Sequence, residues 1–449
     1  MESRGQFTSK LGMILASAGS AVGLGNVWRF PTEVGNNGGA AFILVYLFCV
    51  AFVGVPVMIS EFLIGRHAKT NAVTAFSKLA PGTPWRLQGV ASVFVSFIIL
   101  SYYVVVAGWT LFYLYQSLMG NLSTSQDYTL VFNNFVTHPW QPVLYAVIFM
   151  LMTHWVIARG VQAGIERCSK VMMPMLLLII GILVVCSFSM PGASQGWSFL
   201  LRPDFSKLNT QVFLSAVGQA FYSLSLAMGC LCTYASYFNN DTRLVKTAIS
   251  VSAIDSSVAL LSVLIIFPAV FSVQGIEADA GPGLAFITLP NVFNLAFGAM
   301  PLIGYLFSGL FYLLLLLAAL TSSISLHESV TAYVYETMHI SRRKAAICVS
   351  AFCMVLGVGC ALSFGVMSSF TVFGLNLFDL FDYVSSKIIL PLGGIAICIF
   401  TGWYLDRKLV VNEITNNGSI TIRFFRLYII LIRYFVPMVI TLIFLNGIL

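Results

Sequence analysis

Charged side chains are scarce in this sequence: only 9% of its 449 residues are Asp, Glu, Lys or Arg, whereas 59% are hydrophobic. Soluble globular domains carry about 25% charged residues, so the composition excludes a water-soluble domain of this size. Apolar runs of about 20 residues, the length that crosses a bilayer as a helix, recur from one end of the chain to the other. The sequence therefore predicts an all-α polytopic membrane protein.

Motifs of enzymes and metal centres are missing as well. The five histidines are scattered without an HExxH-like spacing. The nine cysteines are an odd number and lie almost entirely inside apolar runs, which argues against a disulfide framework in the outward loops. The net charge of +7 lies mainly in loops, where it reports topology rather than a nucleic-acid-binding surface. We therefore expect neither an enzyme nor a nucleic-acid partner.

The apolar runs define eleven predicted spans. Lysine and arginine are concentrated in alternate loops, so the positive-inside rule places the amino terminus in the cytoplasm and the carboxyl terminus outside the cell membrane. No linker divides the chain, which predicts one integral domain over 1–449, with repeats at 11–190 and 211–402 and an additional span at 427–446. The predicted spans are 11–35, 40–65, 88–118, 142–158, 168–190, 211–237, 245–272, 300–335, 345–366, 371–402 and 427–446.

Two predicted spans are interrupted near their middle. The first contains Gly19, Gly23 and Gly25, and each glycine inside a helix costs about 1 kcal/mol relative to alanine. The sixth contains a small, hydroxyl-rich stretch at 223–229, about 200 residues later. Non-helical backbone at membrane depth is tolerated where it lines a cavity or is buried in protein. Two such breaks, one at the start of each half, predict a transporter with a binding site at the midplane.

Short motifs accompany these breaks and continue through the chain: GSAVGLGNVWRFP at 19–31, NGG at 37–39, YY at 102–103 with WT at 109–110, GQAF at 218–221, TYASY at 233–237 and LTSS at 320–323. Together they resemble the neurotransmitter:sodium symporter family, in particular its bacterial LeuT-type amino-acid transporters with eleven spans. The resemblance implies the LeuT fold, in which two inverted five-helix repeats are followed by an eleventh helix and spans 1 and 6 are unwound at mid-membrane. It also implies sodium-coupled uptake of an amino acid by alternating access.

The resemblance further implies two bound sodium ions, which as hard cations prefer oxygen ligands. Unwound backbone carbonyls and half-helix ends supply such oxygens. The hydroxyl residues of the eighth span share one helix face with Ala318, at spacings of three and four, although such hydroxyls can instead bond back to the preceding turn. One implied ligand set is Ala21, Asn26, Ser223 and Asp255, and the other is Gly19, Val22, Ala318, Thr321 and Ser322.

Asp255 is a carboxylate inside a predicted span, where an uncompensated charge costs several kcal/mol. Relatives that require chloride resemble this chain but carry an amide at this position, so the resemblance implies that Asp255 replaces chloride and that transport is chloride-independent. Protonation of Asp255 on the return of the empty carrier is a further hypothesis. Two alternatives stay open: Asp255 lies in interfacial water, or Glu33 or Glu61 balances the charge instead.

For the substrate, the resemblance places the carboxylate against Tyr103 and the amides of Leu24 and Gly25, and the amino group near the carbonyls of Ala21, Tyr222 and Ser223. The alternative for the tyrosine pair at 102–103 is packing or anchoring at the membrane interface. An almost wholly apolar lining favours a hydrophobic or aromatic amino acid, although Ala227 stands where relatives often have glycine. The implied side-chain pocket consists of Ile99, Tyr222, Ser225, Ala227, Met228, Ser325 and Leu326.

Isolated charges provide candidate gates. The resemblance pairs Arg29 with Asp382 on the outer side, and Arg4 with Glu336, assisted by Phe7, on the cytoplasmic side. Lys387 has no assigned role, and lone histidines such as His154 and His327 are more typical of helix contacts than of proton relays. An amino-acid-binding membrane receptor without net transport would share every site residue and is the alternative function. We expect a monomer or weak dimer, with the lipid bilayer and a small amino acid as partners.

Overall fold

The structure is a computed structural model that describes residues 5–124, 127–273, 283–297, 300–420 and 424–448. Within these ranges the chain is helical and forms no strand, only one isolated bridge between Val372 and Leu375. The helices are α1 (Lys10–Ala21), α2 (Gly25–Asn36), α3 (Ala40–Ala68), α4 (Ala72–Leu79), α5 (Arg86–Leu118), α6 (Tyr128–Val136), α7 (Gln141–Ala158), α8 (Val161–Ser187), α9 (Ala193–Leu201), α10 (Thr210–Ser223), α11 (Cys230–Ala235), α12 (Leu244–Val270), α13 (Leu284–Ala296), α14 (Pro301–Met338), α15 (Arg342–Leu362), α16 (Leu377–Tyr404), α17 (Arg407–Ile414) and α18 (Phe425–Gly447).

The described residues account for all eleven predicted spans. Nine of their helices are long and apolar enough to cross a membrane, and α1 and α2 form a tenth span that bends by 58°. The sixth predicted span consists of α10 and α11, which flank non-helical residues 224–229. The predicted start of the tenth span, at 371, is wrong because residues 363–376 are apolar but form turns, and α16 begins at Leu377.

The backbone departs from helical geometry where the sequence predicts it. After α1, Val22 is extended, with φ −66° and ψ 112°, and the amide of Gly23 donates to the side-chain oxygen of Asn26 at 2.9 Å. In the second break, Ser225, Ala227 and Gly229 adopt positive φ values of 53°, 63° and 75°. Since only the last of these is glycine, the surrounding structure holds two side-chain-bearing residues in a region that L-amino acids rarely occupy.

The non-helical residues of the second break contact α3. The backbone N–H of Ala227 donates to the carboxylate of Glu61 at 2.6 Å, and this carboxylate is buried. One turn further along α3, a β-carbon added to Gly65 would lie 2.0 Å from the carbonyl oxygen of Cys232. Glycine at 65 therefore permits α3 and α11 to touch, and the contact holds the unwound segment and α11 against one helix.

Helix α17, which follows the tenth span, packs against the end of α3. Arg66 Nε donates to the Glu413 carboxylate of α17 at 2.8 Å, and His67 Nδ1 lies 2.9 Å from its other oxygen. Burial alone would raise the pKa of Glu413, but the hydrogen bond with His67 and the charge of Arg66 hold that pKa below its ordinary value. The ion pair therefore ties a loop segment to the membrane-spanning bundle.

Around the breaks, long helices form a packed frame. α5 and α14 lie against each other along their length, with α7 and α15 beside them, while α1 packs against α8, α12 and α14. Ser96 of α5 donates to the carbonyl of Met228 at 2.5 Å. The frame thus contacts the unwound backbone directly.

Candidate functional site

The two helix breaks meet around a single cavity of about 30 Å³, which also touches α5 and α14. Ten of the twelve predicted substrate-binding residues line it. Gly23, Asn26 and Ser322 line it too, although the sequence analysis assigned Asn26 and Ser322 to sodium alone and left Gly23 without a role. The ten are Ala21, Leu24, Gly25, Ile99, Tyr103, Tyr222, Ser223, Ser225, Met228 and Leu326.

The other two predicted residues, Ala227 and Ser325, lie behind the cavity wall. The side chain of Ala227 faces α16, where it would lie 3.2 Å from a β-carbon added to Gly393. The hydroxyl of Ser325 donates to the carbonyl of Ser322 within the same helix, at 2.8 Å. The structure therefore gives both residues a role in shaping the wall rather than in touching the contents of the cavity.

One polar cluster lies beside the cavity and contains Asn26, Ser223 and Asp255. Asp255 Oδ1 accepts from Asn26 Nδ2 at 2.8 Å, and Asp255 Oδ2 accepts from the hydroxyl of Ser223 at 2.8 Å. Tyr46 of α3, which the sequence analysis missed, has its hydroxyl 3.4 Å from Asp255 Oδ2. Asp255 is completely buried in the middle of α12, so the structure does not place it in interfacial water.

The Asp255 carboxylate has no cationic partner among the described residues. Its neighbours are the neutral side chains of Asn26, Ser223 and Tyr46. A buried, ionised carboxylate is costly unless a positive charge compensates it. The carboxylate of Asp255 and the hydroxyl of Ser223 supply oxygen ligands of the kind that a hard cation such as sodium requires. Asn26 turns its amide nitrogen towards both groups, and its side-chain oxygen accepts from the amide of Gly23.

A second cluster joins α14 to the end of α1. The carbonyl of Val22 accepts from the hydroxyls of Ser322 and Thr321, at 3.0 and 3.4 Å. The Thr321 hydroxyl also lies 3.0 Å from the carbonyl oxygen of Ala318 in the preceding turn, which is the alternative considered for this hydroxyl, and its role as a sodium ligand stays a prediction. A β-carbon added to Gly19 would lie 3.1 Å from that of Thr321. All five predicted members of the second set are thus brought together.

The glycines of the first break allow close approach to the cavity. A β-carbon at Gly23 would lie 2.7 Å from the hydroxyl of Ser322, and one at Gly25 would lie 3.0 Å from the ring of Tyr222. The amide of Leu24 points towards the hydroxyl of Tyr103, 3.5 Å away. This end of the cavity consequently presents backbone N–H groups and a phenol hydroxyl, next to the amino end of α2.

The predicted outer gate residues both lie next to Tyr222, but not as a direct pair. The Arg29 guanidinium stands 4.7 Å from the centre of the Tyr222 ring. Asp382 instead accepts from the hydroxyl of Tyr102 at 3.1 Å, and no ion pair joins Arg29 to Asp382 within the described chain. The predicted Arg29–Asp382 ion pair is therefore not formed in this structure.

On the opposite side, Glu336 accepts from the backbone and side chain of Asn71, at 2.9 and 2.7 Å. Arg4, its predicted partner, lies outside the described residues. Phe7 is buried and packs edge-on against Tyr234 and Tyr237, with ring centres 6.0 and 6.2 Å apart. Phe7 therefore anchors the segment before α1 to the residues that follow the second break.

A buried ion pair on this side was missed. Glu328 accepts from the hydroxyl of Tyr237 at 2.6 Å and pairs with Arg342, which donates at 2.9 Å through Nη1. The sequence signal was present, since Glu328 lies in a predicted span and needs a partner. Arg342 appeared only as a loop charge, because a sequence does not show that α15 begins beside α14.

The structure shows the contacts of the histidines, glutamates and lysine whose roles the sequence left open. His154 and His327 both hydrogen-bond to Ser350, at 2.9 and 2.8 Å, which agrees with their interpretation as helix contacts. Glu33 accepts from Asn37 Nδ2 at 3.0 Å and from the hydroxyl of Ser215. Lys387 lines a separate cavity of about 140 Å³ that Glu33 also lines. Glu33 and Glu61 therefore contact groups other than the Asp255 cluster.

Comparison with known proteins gives a consistent result. The sequence model described as the sodium:neurotransmitter symporter family matches residues 4–140 and 126–449. The chain belongs to this family. An uncharacterized sodium-dependent transporter of Bacillus subtilis, YhdH, is 38% identical over 444 residues, which cover 98% of this chain and 97% of that protein. The sodium- and chloride-dependent GABA transporter 2 of Homo sapiens is 28% identical, over 86% of this chain and 70% of that protein.

A solved structure shares the fold of this family member. The crystal structure of MhsT in complex with L-phenylalanine superposes with a TM-score of 0.90 and 41% sequence identity, over 99% of this chain and 100% of that one. This match confirms the predicted all-α LeuT fold with broken spans 1 and 6. The family and fold are those of sodium-dependent, multi-pass membrane transporters rather than of enzymes.

Proposed function

We propose that this protein takes up a hydrophobic or aromatic amino acid together with sodium, by alternating access and without chloride. The observation that supports this proposal best is the meeting of both helix breaks at one buried cavity, between two clusters of oxygen atoms. MhsT, which shares the fold, was crystallised with L-phenylalanine. An amino acid would suit this cavity because one end of the cavity is polar and the other is apolar.

The polar end would receive the carboxylate of the substrate. The amino end of α2 carries a partial positive charge, and the amides of Leu24 and Gly25 lie there beside the hydroxyl of Tyr103. The amino group would lie near the carbonyls of Ala21, Tyr222 and Ser223. The side chain would point towards apolar groups, of which Ile99, Met228 and Leu326 line the cavity. This arrangement disfavours substrates with charged side chains.

Sodium would be a co-substrate at both oxygen clusters. The carboxylate of Asp255 would supply one full negative charge to the first ion, with Asn26, Ser223 and the carbonyl of Ala21 as neutral ligands. The second ion would lie between Gly19 and Val22 on one side and Ala318, Thr321 and Ser322 on the other. Because Asp255 is part of the protein, we infer that no chloride ion is needed to balance the first sodium.

We also propose a membrane orientation, an oligomeric state and two gates. The cation-rich loops would face the cytoplasm, which places the amino terminus inside and the carboxyl terminus outside the cell membrane. We propose a single integral domain that functions as a monomer or weak dimer. Arg29 and Asp382 would close the outer side around Tyr222, while Arg4 and Glu336 would close the inner side.

The decisive experiment is uptake of radiolabelled leucine, tyrosine and tryptophan into proteoliposomes, with an inward sodium gradient compared with an equal potassium gradient, both in gluconate. Accumulation in sodium alone is expected. Uptake that requires chloride would contradict chloride independence, and better competition by lysine or glutamate than by leucine would contradict the apolar pocket. Sodium-dependent binding without accumulation would instead indicate a receptor.

A further inference from the structure

A concave apolar groove of about 390 Å³ lies on the membrane-facing side of the bundle and shares no lining residue with the transport cavity. This volume is within the roughly 300–1,000 Å³ range of small-ligand pockets. The groove opens sideways to the membrane, since Phe94 is 49% exposed and Phe352 is 66% exposed. Four helices line it: α4 contributes Val73, and the larger walls include Val90, Phe94 and Phe97 of α5, Val334 of α14, and Cys348 and Phe352 of α15.

The groove and the helix turn that precedes it on α5 together span about the depth of one lipid leaflet. On α5, Arg86 lies one turn before Val90, on the same stripe of the helix. From Arg86 to Phe97 the helix rises about 16 Å, which is close to half of a hydrocarbon core about 30 Å thick. A hydrocarbon chain that enters beside Arg86 would therefore reach Phe97 near the middle of the bilayer.

Two exposed cations, Arg86 and Lys344, each lie one helix turn before a residue that lines the groove. Lys344 precedes Cys348 and Phe352 by one and two turns of α15, as Arg86 precedes Val90 on α5. Neither Arg86 nor Lys344 takes part in an ion pair where the chain is described. The sequence has no Asp or Glu between positions 62 and 126 or between 337 and 378. A ligand with a negative charge at this level would meet no carboxylate from these segments.

We propose that this groove binds one anionic phospholipid, with an acyl chain along the apolar walls and the headgroup phosphate between Arg86 and Lys344. An apolar groove without charged residues nearby would bind any lipid, or a helix of a second copy of the protein, without preference. The two cations favour the phospholipid, because each basic side chain near the membrane surface increases the affinity for anionic lipid by about fivefold. The site is independent of the transport cavity and of the proposed substrate.

The test is native mass spectrometry of the purified protein in detergent, titrated with dioleoylphosphatidylglycerol or dioleoylphosphatidylcholine. The wild-type protein is expected to retain one phosphatidylglycerol in preference to phosphatidylcholine. Removing both cations, with Arg86→Gln and Lys344→Gln, should weaken the phosphatidylglycerol affinity by roughly 25-fold without changing that of phosphatidylcholine. The matched control changes two exposed cations elsewhere, with Arg407→Gln and Lys408→Gln, and should behave as wild type.

A second variant tests the groove itself. Cys348→Trp places an indole within the groove and should abolish retention of either lipid, whereas Ile347→Trp, on a neighbouring exposed face of α15, should not. Thermal unfolding of each variant in detergent establishes that it is folded. Equal affinity of the wild type for both lipids, retention unaffected by Cys348→Trp, or a change in oligomeric state in place of lipid loss would each overturn the proposal.

Discussion

Replacing Asp255 by asparagine removes one negative charge from the interior of the bundle and keeps the shape of the side chain. In the structure both carboxylate oxygens accept hydrogen bonds at 2.8 Å from neutral groups, and no cation of the described chain pairs with them. Two unit charges about 4 Å apart interact by about 4 kcal/mol at an effective dielectric constant near 20. Losing that interaction corresponds to about a thousandfold in affinity. We therefore expect Asp255→Asn to weaken sodium binding by roughly 100- to 1,000-fold in chloride-free medium.

The assay is sodium-dependent binding of radiolabelled L-phenylalanine to purified protein, in sodium gluconate and in sodium chloride. Chloride should restore part of the sodium affinity of the variant, because a mobile anion can supply the missing charge, and should leave the wild type unchanged. Asp241→Asn is the matched control, since Asp241 is exposed, lies between the spans and pairs with Lys10 at 3.0 Å. Unchanged sodium dependence of Asp255→Asn in gluconate would refute the assignment of Asp255 to a sodium site.

Three further outcomes follow from other contacts. Tyr103→Phe should weaken L-phenylalanine binding by roughly 10- to 100-fold in a saturation assay, because a hydrogen bond to a charged group contributes about 1.5–3 kcal/mol; unchanged affinity would remove Tyr103 from the carboxylate site. Gly65→Ala should lower the free energy of unfolding by about 1–3 kcal/mol through overpacking, whereas Gly181→Ala, whose β-carbon meets nothing within 4 Å, should not, as thermal unfolding would show. Glu413→Gln should lower the unfolding temperature at pH 7. The difference from wild type should shrink as the pH falls below the ordinary carboxyl pKa of about 4.3 and vanish only below the depressed pKa of the folded state, where Glu413 is protonated in both states. A difference that persists in acid would contradict that ion pair.

The positions of the helix breaks could be predicted because glycine and hydroxyl residues interrupt otherwise apolar spans. The two oxygen clusters could be predicted only with the help of the family motifs, since the predicted sodium ligands come from four spans that are far apart in sequence. Tyr46 could not be found this way. It lies in a span that is apolar all around, and such a span has no periodicity that shows which side faces the interior.

The arrangement of Arg29 shows a second limit of sequence reasoning. The family resemblance implied a pair with Asp382, but Arg29 stands over the ring of Tyr222 and Asp382 accepts from the hydroxyl of Tyr102. Exposed ion pairs contribute only about 0–1 kcal/mol, and a cation over an aromatic ring contributes a similar amount. The choice between such contacts depends on distances that only the folded structure provides.

The left-handed backbone at Ser225 and Ala227 limits which residues can replace them during evolution. Each side chain there costs about 1–2 kcal/mol relative to glycine, and a β-branched residue would cost more. Substitutions at these two positions are thereby restricted mainly to glycine, asparagine, aspartate and other residues without β-branching, even though Ser225 lines the cavity. Met228 has no positive φ and lines the same wall. Descendants of this sequence that acquire a new substrate should therefore differ first at Met228 and at Ile99 on the facing helix.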